Sequence, residues 1–112
     1  MRKFIIPFAC GVVMLAATAQ AQQAPRYDVE SHCEQVASVG GSPSNTMYNS
    51  CIEMEQQAYD NIKQGWSSIP GGTQQHCDQV ATVGGAGSYT MLESCVQMET
   101  QAADDRSEFN FD

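Results

Sequence analysis

The chain has 112 residues, and 13 acidic side chains outweigh five basic ones for a formal charge of −8. Two of the basic residues are Arg2 and Lys3, so from Gln22 onward only Arg26, Lys63 and Arg106 oppose all 13 carboxylates, a balance of −10. Such a charge argues against nucleic acid and anionic membrane surfaces as partners, and the length allows one small domain, which buries only about 60% of the surface its unfolded chain exposes.

In chain order, Arg2 and Lys3 precede an uncharged apolar run from Phe4 to Ala19, and Ala19-Gln20-Ala21 fits a small-residue cleavage site. This pattern predicts a secretory signal peptide over 1–21, removed after Ala21. The apolar run has 16 residues and contains Pro7, short of the roughly 20 that a spanning helix needs, so no stable membrane anchor is expected after cleavage. Cys10 leaves with the signal, because Pro7-Phe8-Ala9 before it lacks a lipoprotein pattern. The mature chain keeps Cys33, Cys51, Cys77 and Cys95. An even cysteine count in a short exported chain reads as a disulfide framework.

Val29, Cys33, Val36 and Ala37 fall at helical spacing, as do Met47, Cys51, Met54, Ala58 and Ile62 after a break at Gly40-Gly41-Ser42-Pro43-Ser44. Pro43 suits a first helical position, which makes Ser42 the expected cap of the second helix. Gly65-Trp66 and Pro70-Gly71-Gly72 mark the end of that helix and a turn. Cys77, Val80 and Ala81, then Met91, Cys95, Met98 and Ala102, repeat the pattern around Gly84-Gly85-Ala86-Gly87-Ser88, with Ser88 the expected cap. Laid without a gap on His76 to Ala102, His32 to Ala58 is identical at 17 of 27 positions. Such agreement marks a repeated structural unit.

Each copy is therefore expected to be a helical hairpin. Cys33 lies nine residues before Ser42 and Cys51 nine after it, and Cys77 and Cys95 stand in the same relation to Ala86. In an antiparallel pair such cysteines sit at one height, which predicts Cys33 to Cys51 and Cys77 to Cys95, each worth about 3 kcal/mol in the loop-entropy model. Pairing between copies would instead need the repeat symmetry to bring distant helices together. Trp66 is expected to fill the seam between hairpins. Shifted by the repeat it lands on Asn110, so Phe109 or Phe111 is a candidate to dock beside the second copy, and the tail from Asp104 onward is expected to fray unless those rings are buried.

The fold class expected is all-α, two tandem disulfide-stapled helical hairpins forming a small four-helix domain. Its divisions are a signal peptide at 1–21, a flexible N-terminus at 22–27, hairpin 1 at 28–66, a linker at 67–73, hairpin 2 at 74–103 and an acidic tail at 104–112.

The order Cys33, Gly40-Gly41-Ser42, Cys51, Glu55, Ala58, Trp66, then Cys77, Gly84-Gly85, Cys95 and Glu99 resembles small exported proteins of Gram-negative bacteria whose activity is not established. The resemblance covers about Tyr27 to Ala103. It implies export and a stapled helical fold, and it supplies no reaction, substrate or catalytic residue.

No residue pattern points to catalysis. The cysteines of each pair are separated by 17 residues rather than the two of a thiol-disulfide enzyme. His32 and His76 each merely precede a cysteine, no serine-centred elbow is present, and the Gly-Gly segments lack a phosphate-binding lysine. Neither a cofactor nor a catalytic residue is expected. A copper site would draw on His32, Met47, Met54, His76, Met91 and Met98, ligand types that suit copper. The competing reading makes the methionine face an apolar core, and it is the one adopted, with no metal expected; a zinc site lacks the Cys-x2-Cys spacing. Glu55 with Glu99, Gln35 with Gln79, and Gln57 with Gln101 also recur, read first as hydrogen bonds holding each hairpin to its loop and second as a shared binding face. The role expected is a non-enzymatic periplasmic or secreted interaction or structural module for an unknown protein or small ligand, of open oligomeric state. Copper handling in the periplasm and a stress chaperone are the alternatives.

Overall fold

The computed structural model describes residues 23–112. The expected signal peptide, with Cys10 and the cleavage after Ala21, lies outside the described residues. Four helices follow in order: α1 (Val29–Ala37), α2 (Asn45–Gly65), α3 (Gly71–Ala81) and α4 (Tyr89–Asp104), with a single 3-10 turn at Trp66–Ser68 between α2 and α3. No strand occurs among the described residues. Helices α1 and α2 form one hairpin and α3 and α4 the other, each closed by its own bridge. Cys33 is bonded to Cys51 and Cys77 to Cys95, and both pairs hold their Cα atoms 5.5 Å apart. This is the pairing that equal height along antiparallel axes requires.

The two hairpin turns repeat bond for bond. The Ser44 N–H donates to Ala37 O and the Ser88 N–H to Ala81 O, both at 3.1 Å, while the Gly41 N–H reaches Ser38 O and the Gly85 N–H reaches Thr82 O, both at 2.9 Å. Gly41 (φ 94°) and Gly85 (φ 101°) occupy the left-handed region that reverses the chain after each first helix. The cap of α2 is Ser44, not Ser42. Its hydroxyl accepts from the Met47 N–H at 3.2 Å, as the Ser88 hydroxyl does from Met91 at 3.4 Å. Pro43 therefore precedes the cap, and the repeat register, in which Ser44 aligns with Ser88, overrides the local preference for proline at the first helical position.

Helix α3 begins at Gly71, so Gly71 and Gly72 form its first turn instead of a turn before it. Pro70 occupies the cap position, and its carbonyl accepts from the Gln74 N–H at 3.0 Å. The Gln74 side-chain amide also donates to Trp66 O at 2.7 Å and ties the 3-10 turn to α3.

The main core lies between the hairpins, where Ala58, Ile62 and Trp66 from the first meet Cys77, Ala81, Tyr89 and Leu92 from the second. Trp66 fills that seam as its composition suggests, and burying it and Leu92 supplies several kcal/mol of apolar transfer free energy. The segment before α1 is a strap and not a free end. Tyr89 Oη donates to Pro25 O at 2.7 Å and accepts from the Tyr27 N–H at 2.9 Å, while Tyr27 Oη donates to Asp78 at 2.6 Å. The Tyr27 ring stacks on Tyr89 with centroids 4.6 Å apart. Gly87 makes this close approach possible: a Cβ there would stand 2.5 Å from the Tyr27 ring, and its φ of 91° is left-handed. The opposite end behaves otherwise. Phe109 and Phe111 are 80% and 94% exposed and pack only on each other at 4.6 Å, so neither docks beside hairpin 2. With Arg106 standing where Ile62 stands in the first copy, the second copy offers them no apolar seat.

Candidate functional site

The methionines overturn the expectation of a core. Met47 and Met91 are 44% and 45% exposed, and Met54 and Met98 are 61% and 69% exposed. The reason is architectural. A two-helix hairpin has one seam, the disulfide occupies it, and α1 has nine residues against the 21 of α2, so nothing covers the apolar stripe beside the bridge.

That stripe floors a groove in each copy. In hairpin 1 the groove is lined by His32, Val36, Thr46, Met47, Ser50, Cys51, Met54 and Glu55, joined by Thr90, and encloses about 400 Å³. In hairpin 2 it is lined by His76, Val80, Thr90, Met91, Ser94, Cys95, Met98 and Glu99, about 420 Å³. Every lining residue of hairpin 1 has its identical counterpart 44 positions on, and Thr90 belongs to both grooves. A histidine closes each groove against its glutamate, His32 Nε2 lying 3.7 Å from Glu55 and His76 Nε2 3.6 Å from Glu99.

The two glutamates differ in everything else. Glu55 is buried to 2% exposure; it accepts from the Tyr89 N–H at 2.6 Å, from the Ser88 hydroxyl at 2.8 Å and from the Thr90 hydroxyl at 2.9 Å. It is thus a second cap for α4, delivered by α2, where a carboxylate also complements the positive end of the helix dipole. The side chain of Glu99 is 45% exposed. The expected hydrogen bonds from hairpin to loop therefore exist once, and they run between hairpins. Gln35, Gln57, Gln79 and Gln101 lie exposed and take no part in them.

As metal ligands these residues are only partly brought together. His32 shares its groove with Met47 and Met54, and His76 shares its groove with Met91 and Met98. Seven residues of helix place the two thioethers of a copy about 10.5 Å apart along the axis, and helical side chains lean toward the N-terminus together, so one ion is poorly served by both. Cys51 and Cys95 are oxidised and offer no thiolate. No group of three or more His, Cys, Asp and Glu that could hold a metal occurs among the described residues.

A third concavity, lined by Arg26, Glu30, Tyr59 and Tyr89 among others, sits at the hairpin junction. Its rings are committed to one another: Tyr59 and Tyr89 lie 4.9 Å apart, and Tyr27 lies 4.6 Å from Tyr89. The Tyr27 hydroxyl titrates far above its ordinary value, first through burial and then through its hydrogen bond and charge interaction with Asp78. Through these rings and the Tyr27–Asp78 bond the N-terminal segment touches both hairpins.

No family model, no curated protein and no solved structure matches the chain. Among the described residues no helix is long and apolar enough to cross a membrane, and two disulfides fit an oxidising compartment.

Proposed function

We propose that the chain is a small exported, non-enzymatic interaction module, working in the periplasm or outside the cell and binding its partner through the two methionine grooves. The observation that carries this reading is the residue-by-residue identity of the two linings. Cys51 and Cys95 are held by their bridges in any case, but the four thioethers remain 44% to 69% exposed, and exposed apolar side chains grouped in a concavity mark a contact surface. Methionine adapts to varied apolar partners because its chain is unbranched and its sulfur polarizable.

Peroxide footprinting tests it. In an extract of the exported fraction, Met54 and Met98 should oxidise several-fold more slowly than in the purified protein at matched peroxide, because the partner covers them. Equal rates in the two samples would count against an occupied module.

One observation favours a second reading, copper handling: each groove holds an imidazole and two thioethers. It requires stoichiometric Cu(I) binding that is lost on Met47→Leu or Met91→Leu, against the 10.5 Å helical span noted above.

A further inference from the structure

We infer that the two grooves form one continuous trough for a single cationic amphipathic helix of a partner protein, an inference that rests on the interaction-module reading and names the partner's chemistry. Thr90 joins the grooves, so the surface runs from Met47 past Met54 and Thr90 to Met91 and Met98. Each methionine pair spans two helical turns, about 10.5 Å. A ligand touching all four thioethers therefore needs an apolar stripe several turns long, as an amphipathic helix presents.

Charge selects the sign of its polar face. No lysine or arginine lines either groove; of the two carboxylates that do, Glu55 is buried as the α4 cap, and the half-exposed Glu99 is the one an incoming chain can reach. Over the described residues 13 carboxylates face Arg26, Lys63 and Arg106, and Lys63 is already held by Asp60 at 3.3 Å. An acidic helix would be repelled on approach. Lysine and arginine stems can lie along the methionines and place their charges near Glu99 and in the field of a chain with ten more acids than bases.

The repeat supports a surface held to one chemistry. On the other flank of α2 and α4 the copies have diverged, Asn49 against Glu93, Glu53 against Gln97 and Gln56 against Thr100. A requirement for helix alone would have let the trough diverge in the same way.

Isothermal titration with a designed Leu/Lys amphipathic helix of about 20 residues, roughly 30 Å long, tests the inference beside a Leu/Glu helix of the same apolar face. One Leu/Lys helix should bind per chain, and the Leu/Glu helix should not bind. Met54→Gln alone and Met98→Gln alone should each weaken binding about tenfold or more, since one ligand engages both grooves. Both positions are exposed, so circular dichroism should find the fold intact. Two helices per chain would overturn the continuous trough. Wild-type affinity in both glutamine variants would reduce the binding to diffuse charge attraction, and equal binding of the Leu/Glu helix would remove the charge argument. Protection of Met54 and Met98 in the extract without binding of the Leu/Lys helix would sink this inference and leave the interaction module standing.

Discussion

Glu55 and Glu99 are the same residue at the same point of the repeat, and the fold gives them opposite work. The Glu55 carboxylate satisfies the Tyr89 N–H and two hydroxyls in a buried seam, so truncating it strands a buried donor and breaks charge-assisted bonds. Glu55→Ala should destabilise the protein by about 3 kcal/mol, whereas Glu99→Ala, with its half-exposed side chain near only His76, should stay within about 0.5 kcal/mol. Urea titration of both variants, followed by helical circular dichroism, measures the contrast. Equal losses would mean that Glu55 is not the inter-hairpin cap. The repeated Glu was visible in the sequence, but its asymmetry was not. The signal available was the aligned neighbourhood: Ile62 and Trp66 after Glu55 correspond to Arg106 and Asn110 after Glu99, so only the first helix carries the apolar residues that pack on Tyr89 and Leu92 and bring the start of α4 to its glutamate.

At the scale of elements, the four helices and both bridges were legible, because apolar residues recur at helical spacing and the cysteines flank each turn symmetrically. What misled was local preference set against register. Proline at a first helical position drew the cap to Ser42, and an apolar stripe drew the methionines inward, although a hairpin with its seam filled by a disulfide has no second face to bury them. The two bridges close loops of equal sequence separation, 18 in each, so their chain-entropy contributions match at about 3 kcal/mol. Their surroundings do not match. Cys77 belongs to the core between hairpins, while Cys33 is buried outside that cluster. Replacing Cys77 and Cys95 together by alanine should therefore cost more than replacing Cys33 and Cys51, by about 1 kcal/mol of lost packing. Trp66 fluorescence should shift in the first variant and hold in the second, because Trp66 sits against hairpin 2. An identical response of the two variants would place Trp66 outside that contact.

For the molecule as a whole, the hairpins are joined by the Trp66 seam, the Glu55 cap and the N-terminal strap, and the strap makes the assembly sensitive to alkali. The Tyr27 hydroxyl donates to Asp78, so ionising it removes the donor and sets two negative charges together. Burial and that bond hold its titration far above the ordinary value of 10.0. In the unfolded chain Tyr27 loses its proton near pH 10, while in the folded protein it keeps it, so the stabilisation is fully present below about pH 10 and falls as pH rises beyond it. Tyr89 shifts upward as well, through burial first, and adds a change of the same sign. The urea midpoint should therefore hold level from neutral pH to about pH 9 and decline above pH 10. Tyr27→Phe, which cannot ionise or reach Asp78, should start from a lower midpoint and decline less steeply, with Tyr89 and Tyr48, both also shifted upward, supplying the remaining slope. Parallel declines in the two proteins would mean that the strap does not carry the alkaline transition. The loss would then have to come from self-repulsion of the acidic chain, which added salt would relieve and the strap mechanism would not.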